Sequence, residues 1–87
     1  MYYIYILKSK KDKKKLYIGF TNDLRRRLTE HNNGESRYTK SFLPWVLVYY
    51  ESYFSKKDAS AREKQFKKYA KAWGQLKKRI RNSLSES

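Results

Sequence analysis

Five side chains in this 87-residue sequence could between them hold and cut a phosphodiester. Tyr5 closes the run Tyr3-Ile4-Tyr5, Tyr17 opens Tyr17-Ile18-Gly19, Arg27 follows in Arg25-Arg26-Arg27, and His31 and Glu63 come later. Hydrolysis of such an ester needs a base or metal to activate water, a cation for the charge that builds on the phosphate, and a carboxylate to hold the metal. Tyr17, Arg27 and Glu63 can fill those roles in that order. The tyrosine is the demanding member, because a free phenol titrates near pH 10. Nearby cations or a metal would lower that value.

The elements around these residues are legible from pattern. Tyr2 to Leu7 and Leu16 to Phe20 are β-branched and aromatic runs joined by a lysine-rich connector, which predicts a hairpin. Alternation places Tyr3, Tyr5 and Leu7 on one face of the first strand, and Tyr17 with Gly19 on one face of the second. A strand tyrosine alone says little, since tyrosine is a good β-former. Glycine weakens a strand, and close approach of a ligand or another backbone is a common reason to accept it, so Gly19 is expected to leave the backbone open beside two phenols.

Asn22 or Thr21 can cap a helix over Asp23 to Asn32, with Asp23 in its first turn and Asn32-Asn33-Gly34 as its stop. Leu24 and Leu28 mark its buried face, and Arg27 and His31, four residues apart, fall on that same side. A third strand follows over Pro44 to Tyr50, with proline at its start. Ser55 or Asp58 then opens a long helix whose stripe runs Ala59, Phe66, Ala70, Trp73, Ile80 and Leu84, with Gly74 as the place to kink or split it. Glu63 interrupts that stripe where a hydrophobe belongs. An unpaired carboxylate there is costly, so Glu63 needs a cation or a metal; from the helix alone, an ion pair to Arg27 or a neighbouring lysine is the simpler account.

Composition narrows the partners. Lys plus Arg is 22 against 8 for Asp plus Glu, a net charge of +14 that attracts polyanions, nucleic acid above all. Nine tyrosines, four phenylalanines and two tryptophans add stacking surface. No cysteine and a single histidine exclude disulfides, thiolate metal sites and a histidine-rich zinc site. No apolar run approaches the ~20 residues of a membrane span, and the expectation is a cytoplasmic protein. The length suits one domain over 1–87, with 84–87 as a frayed tail.

The combination of Tyr3-Ile4-Tyr5, Leu16-Tyr17-Ile18-Gly19, Thr21 to Leu28 with Glu30-His31-Asn32, and Ala61-Arg62-Glu63-Lys64-Gln65 resembles the GIY-YIG nuclease superfamily. The likeness is greatest to its small, single-domain, excinuclease-like members. The resemblance implies an α+β fold, a three-stranded antiparallel sheet flanked by helices in the order ββαβα, and an endonuclease dependent on Mg²⁺ or Mn²⁺. It implies Tyr17 as general base or water-orienting group, Arg27 on the scissile phosphate, Tyr5 in the phosphate and water network, and Glu63 as metal ligand. His31 matches a histidine of some members. Two departures stand out: Tyr3 replaces the glycine of the first motif, and the asparagine of a later helix has no clear match, Asn82 lying near the tail.

The expected partner is therefore nucleic acid, DNA before RNA, with no membrane, bound by a monomer or weak homodimer. Gly19, Arg25, Arg26, Arg37, Lys40, Lys67, Lys68 and Lys71 are the candidate contacts. The competing reading is a non-catalytic nucleic-acid-binding module on the same fold. A third makes the segment Arg62 to Arg81, with nine basic residues and an apolar stripe, a membrane-surface or partner helix.

Overall fold

The aromatic and branched run at the chain start forms β1 (Tyr2–Ser9), two residues longer than its apolar pattern. The extension has a physical cause. Ser9 is buried, and its hydroxyl accepts the N–H groups of Lys11 and Asp12 at 3.1 and 3.0 Å while donating to Phe42 O at 2.6 Å. The strand thus continues until the turn of the lysine connector begins. β2 (Leu16–Thr21) returns antiparallel to it. The computed structural model describes residues 1–87.

α1 (Leu24–Asn32) follows, with Asp23 as its cap: the carboxylate accepts Arg26 N–H at 3.0 Å. Asn22 and Thr21, the expected caps, lie outside it. Its end is a Schellman arrangement in which Glu35 N–H donates to Glu30 O and Gly34 N–H to His31 O, at 3.0 and 3.1 Å. Gly34 takes the left-handed φ of 76° that this turn requires. A single 3-10 turn (Lys40–Phe42) leads to β3 (Trp45–Tyr53), which begins after Pro44 and runs three residues beyond Tyr50.

The sheet order is β2-β1-β3, all antiparallel, which makes β2 an edge. A bulge between the Ile6↔Tyr49 and Leu7↔Leu47 pairs inserts Val48 and switches the side-chain phase of β3. One sheet face carries Tyr5, Leu7 and Trp45 under Leu24 and Leu28 of α1. The other carries Ile4 and Ile6 under Ala59, Phe66, Leu76 and Ile80. The sheet is the middle of three layers.

The C-terminal helical region differs from the single helix divided at Gly74. It comprises α2 (Lys56–Lys68), capped by Ser55, then α3 (Ala70–Arg79) and α4 (Arg81–Glu86). The breaks fall at Tyr69, whose backbone is extended, and at Ile80. Turning at Tyr69 brings the Trp73 ring edge-on to Phe66 at 6.1 Å, so the second half of the stripe wraps over the sheet instead of running past it. Gly74 sits within α3, where a side chain would meet open space. Of residues 84–87, expected as a frayed tail, the first three end α4 and Ser87 caps it: Leu84 packs against the core, and buried Lys8 donates from Nζ to the carbonyls of Leu84 and Ser87.

Candidate active site

The hairpin register pairs Tyr5 directly with Gly19. The phenol lies flat over the glycine, since a Cβ built on Gly19 would fall 2.1 Å from Tyr5 Cζ and 2.2 Å from its hydroxyl. The space expected to be open for a ligand is thus occupied by Tyr5. Gly19 is buried and serves to seat that ring.

Tyr5 is 2 % exposed, and its hydroxyl lies 2.9 Å from His31 Nε2. His31 is wholly buried, with Nδ1 2.8 Å from Thr39 Oγ1. Burial and then the Arg27 charge push the imidazole down to about 4, so the ring is neutral at pH 7. A neutral ring carries one N–H. Either Tyr5 donates to Nε2 and Nδ1–H donates to Thr39, or Thr39 donates to Nδ1 and Nε2–H donates to Tyr5. Phenol and imidazole stay neutral in both arrangements, and in the second the Tyr5 hydroxyl proton is free for another acceptor. Burial also pushes the Tyr5 phenol up to about 12, against the pull of Arg27, which makes it a neutral hydrogen-bonding group at neutral pH.

Tyr17 stands beside this pair, its ring 5.0 Å from that of His31 and 6.3 Å from that of Tyr5. Its hydroxyl makes no hydrogen bond within the protein, and the side chain lines an open concavity at the β2 edge. Arg27 approaches from α1. Burial works against its charge, but Glu30 bonding and the nearness of Tyr5 and Tyr17 raise its pKa. Arg27 Nη1 donates to Glu30 Oε1 at 2.9 Å, with the side chain 30% exposed, so it is anchored yet reachable.

Glu63 comes from the opposite layer. Its charge reaches Tyr5, where it adds to the rise already set by burial, and its carboxylate is paired with Lys67 at 3.2 Å. That pairing is the simpler account the helix offered. α2 is fixed to the sheet by Glu51 of β3, whose carboxylate accepts from Arg62 Nε at 3.0 Å and from the Tyr49 and Tyr53 hydroxyls at 2.6 and 2.5 Å. Burial alone would raise the Glu51 carboxyl, but these bonds hold it below its ordinary value. Arg62 also lies 4.1 Å over the Phe66 ring. Because Arg62 precedes Glu63, this network sets where Glu63 can point.

No three of the His, Asp and Glu side chains gather into a ready metal cage. A single half-buried carboxylate, that of Glu63, still fits Mg²⁺, which keeps several waters and binds through one or two carboxylates plus substrate phosphate.

Among the candidate nucleic-acid contacts, Arg26 lies with Arg27, Lys56 and Glu30 in a second concavity, at the start of α1, and bonds Asn22 and Glu30. Lys67 lines the Tyr17 concavity. Arg25, Arg37, Lys40, Lys68 and Lys71 are exposed but line neither. Lys14, Lys56 and Lys77 were not among the candidate contacts and Trp73 was read only as part of the apolar stripe, because only the fold brings three separate segments to the β2 edge. Thr39 escaped sequence reading, and Asn32 was read only as a helix stop and part of the family motif. Asn32 bridges the backbone N–H and C=O of Trp45 at 2.7 and 3.0 Å, tying the start of β3 to the end of α1.

The profile of the GIY-YIG catalytic domain matches residues 1–81. A UPF0213 protein of Clostridium perfringens is 45% identical over 69 residues, 78% of this chain and 72% of that protein. One from Staphylococcus haemolyticus is 39% identical over 71 residues, covering 80% of this chain and 84% of its own length. The solution NMR structure of a UPF0213 protein from Bacillus halodurans is 33% identical, covers 87% of this chain and 82% of its own, and superposes with a TM-score of 0.53.

Proposed function

The chain belongs to the GIY-YIG nuclease family, and from that premise we propose that it is a metal-dependent endonuclease hydrolysing phosphodiesters in DNA. The observation that carries this reading is proximity along β2: the Tyr17 ring lies 6.3 Å from Tyr5 and 5.0 Å from His31, and Tyr17 and Arg27 line neighbouring concavities whose Lys67 and Lys56 stand on either side of Glu63 in α2.

In this account Arg27 binds the scissile phosphate and stabilises its developing charge. Tyr17, with no partner of its own, meets the attacking water. The water oxygen bonds to phosphorus, its proton passes to the Tyr17 oxygen as that phenol gives its own to solvent, and the bond to the leaving oxygen breaks, that oxygen then taking a proton from solvent. Tyr5 supports the phosphate and water network as a neutral donor, and His31 and Thr39 hold it there, with Nε2–H on its oxygen leaving the phenol proton free to be donated. Glu63 would hold the divalent ion, Mg²⁺ or Mn²⁺, which supplies charge neutralisation at the phosphate.

A specific observation favours a second reading, the non-catalytic binding module: both charged members are internally paired, Arg27 with Glu30 and Glu63 with Lys67. Nicking of supercoiled plasmid with Mg²⁺, Mn²⁺ or EDTA separates the two. The nuclease nicks only with metal and only with Glu63 present; the binding module shifts the plasmid on a gel and never nicks it.

A further inference from the structure

Two concavities lie along the β2 edge, and they differ in character. One, beside Arg27, is polar and carries Arg26 and Lys56. The other, beside Tyr17, encloses about 400 Å³ and is lined by Leu16, Ile18 and Trp73 with Lys14, Lys67 and Lys77, and no carboxylate. Lys56 and Lys67 stand seven residues before and four after Glu63, hence on one face of α2 and roughly 16 Å apart along its axis. The two concavities therefore flank Glu63. At about 3.4 Å of rise per nucleotide that span covers about five nucleotides of a strand.

A duplex offers such an edge only its phosphates, for which lysines on an open surface suffice. Apolar walls recessed beneath three lysines have a different complement: a group with an anionic end and a flat apolar body. Trp73 presents its ring there with Lys77 Nζ at 5.5 Å from the centroid, and the exposed lysine can pass to a phosphate as a base takes its place. We propose that the Leu16–Ile18–Trp73 concavity is a subsite for one unpaired nucleotide of the cleaved strand, adjacent to the scissile phosphate. The substrate class is then single-stranded, frayed or branched nucleic acid in preference to continuous duplex. The position relative to the scissile phosphate rests on the nuclease reading; the capture of an unpaired base does not.

The two tryptophans provide the test. Trp45 is 4% exposed and donates from Nε1 to Thr39 O, so a bound base can quench only Trp73. The full-length protein is titrated in EDTA with a single-stranded oligonucleotide and with a hairpin duplex of equal length. The single strand is expected to bind more tightly and to quench tryptophan emission, with the quench absent in Trp73→Phe. Lys14→Ala/Lys77→Ala, both changes at exposed positions, should weaken single-strand binding about tenfold or more, with less effect on the duplex. Equal affinity for both forms, or unchanged emission at saturation, overturns the subsite. If plasmid is nicked with Mg²⁺ while emission stays flat, the subsite falls and the nuclease reading stands. Quenching by the single strand without nicking leaves the subsite standing and removes the nuclease reading.

Discussion

The Tyr5 ring lies across Gly19 so closely that a single added carbon at position 19 would sit 2.1 Å from Tyr5 Cζ. Tyr5 cannot swing aside, because it is buried and its hydroxyl meets His31. Gly19→Ala should therefore cost about 1–3 kcal/mol of stability, the range of overpacked cores. It should also lower nicking in protein that remains folded. Urea unfolding and a nicking assay on the same preparation check both. Unchanged stability would mean that the ring is not held as described.

His31 gives a pH signature. Its folded pKa, about 4, lies below the unfolded value near 6.5. The unfolded chain therefore binds more protons in that window, and stability rises with pH from about 4 to 6.5. Thermal unfolding at several pH values should show wild type losing stability as pH falls through this range. His31→Gln should be flatter there.

The Glu51 network acts lower on the pH scale. Its folded carboxyl sits below the ordinary value, so its contribution is present above pH ~4.3 and is lost as pH falls through the folded pKa. Glu51→Gln removes an acceptor shared by Arg62, Tyr49 and Tyr53 and should cost about 1–3 kcal/mol at pH 7. Chemical denaturation at pH 7 measures it.

If Glu63 holds the metal as proposed, Lys67, which pairs with that carboxylate at 3.2 Å, would compete with the ion for it. Lys67→Ala should reduce the Mg²⁺ concentration needed for half-maximal nicking, and a metal titration of the two proteins reads this directly. A higher requirement in the variant would show that Lys67 supports the site instead of occupying it.

Gly19, Glu63, Arg27 and His31 were legible because each violated a local rule, whereas Tyr5 and Tyr17, good strand formers, stood out only through the motifs around them. Gly19 weakens a strand, Glu63 breaks an apolar stripe, and Arg27 and His31 share a helix face with leucines. The hairpin, α1 and β3 followed from alternation and stop signals. The breaks at Tyr69 and Ile80 were not legible, because neither residue is a helix breaker and wrapping over the sheet imposes both turns. The Val48 bulge is likewise a matter of pairing register, and Thr39 is a loop residue that only folding brings to His31. Gly19 shows the limit of local inference: the missing side chain was expected to leave the backbone open, and the structure fills that space with the Tyr5 ring.

The most direct test of the account is metal-dependent nicking of supercoiled plasmid by wild type, Tyr17→Phe, Arg27→Lys and Glu63→Ala. Wild type should nick with Mg²⁺ or Mn²⁺ and not in EDTA. Arg27→Lys, which keeps charge but loses the guanidinium fork, should fall about 10²- to 10³-fold, and the other two should fall at least as far. Equal nicking by wild type and Glu63→Ala, or nicking undiminished in EDTA, would contradict it.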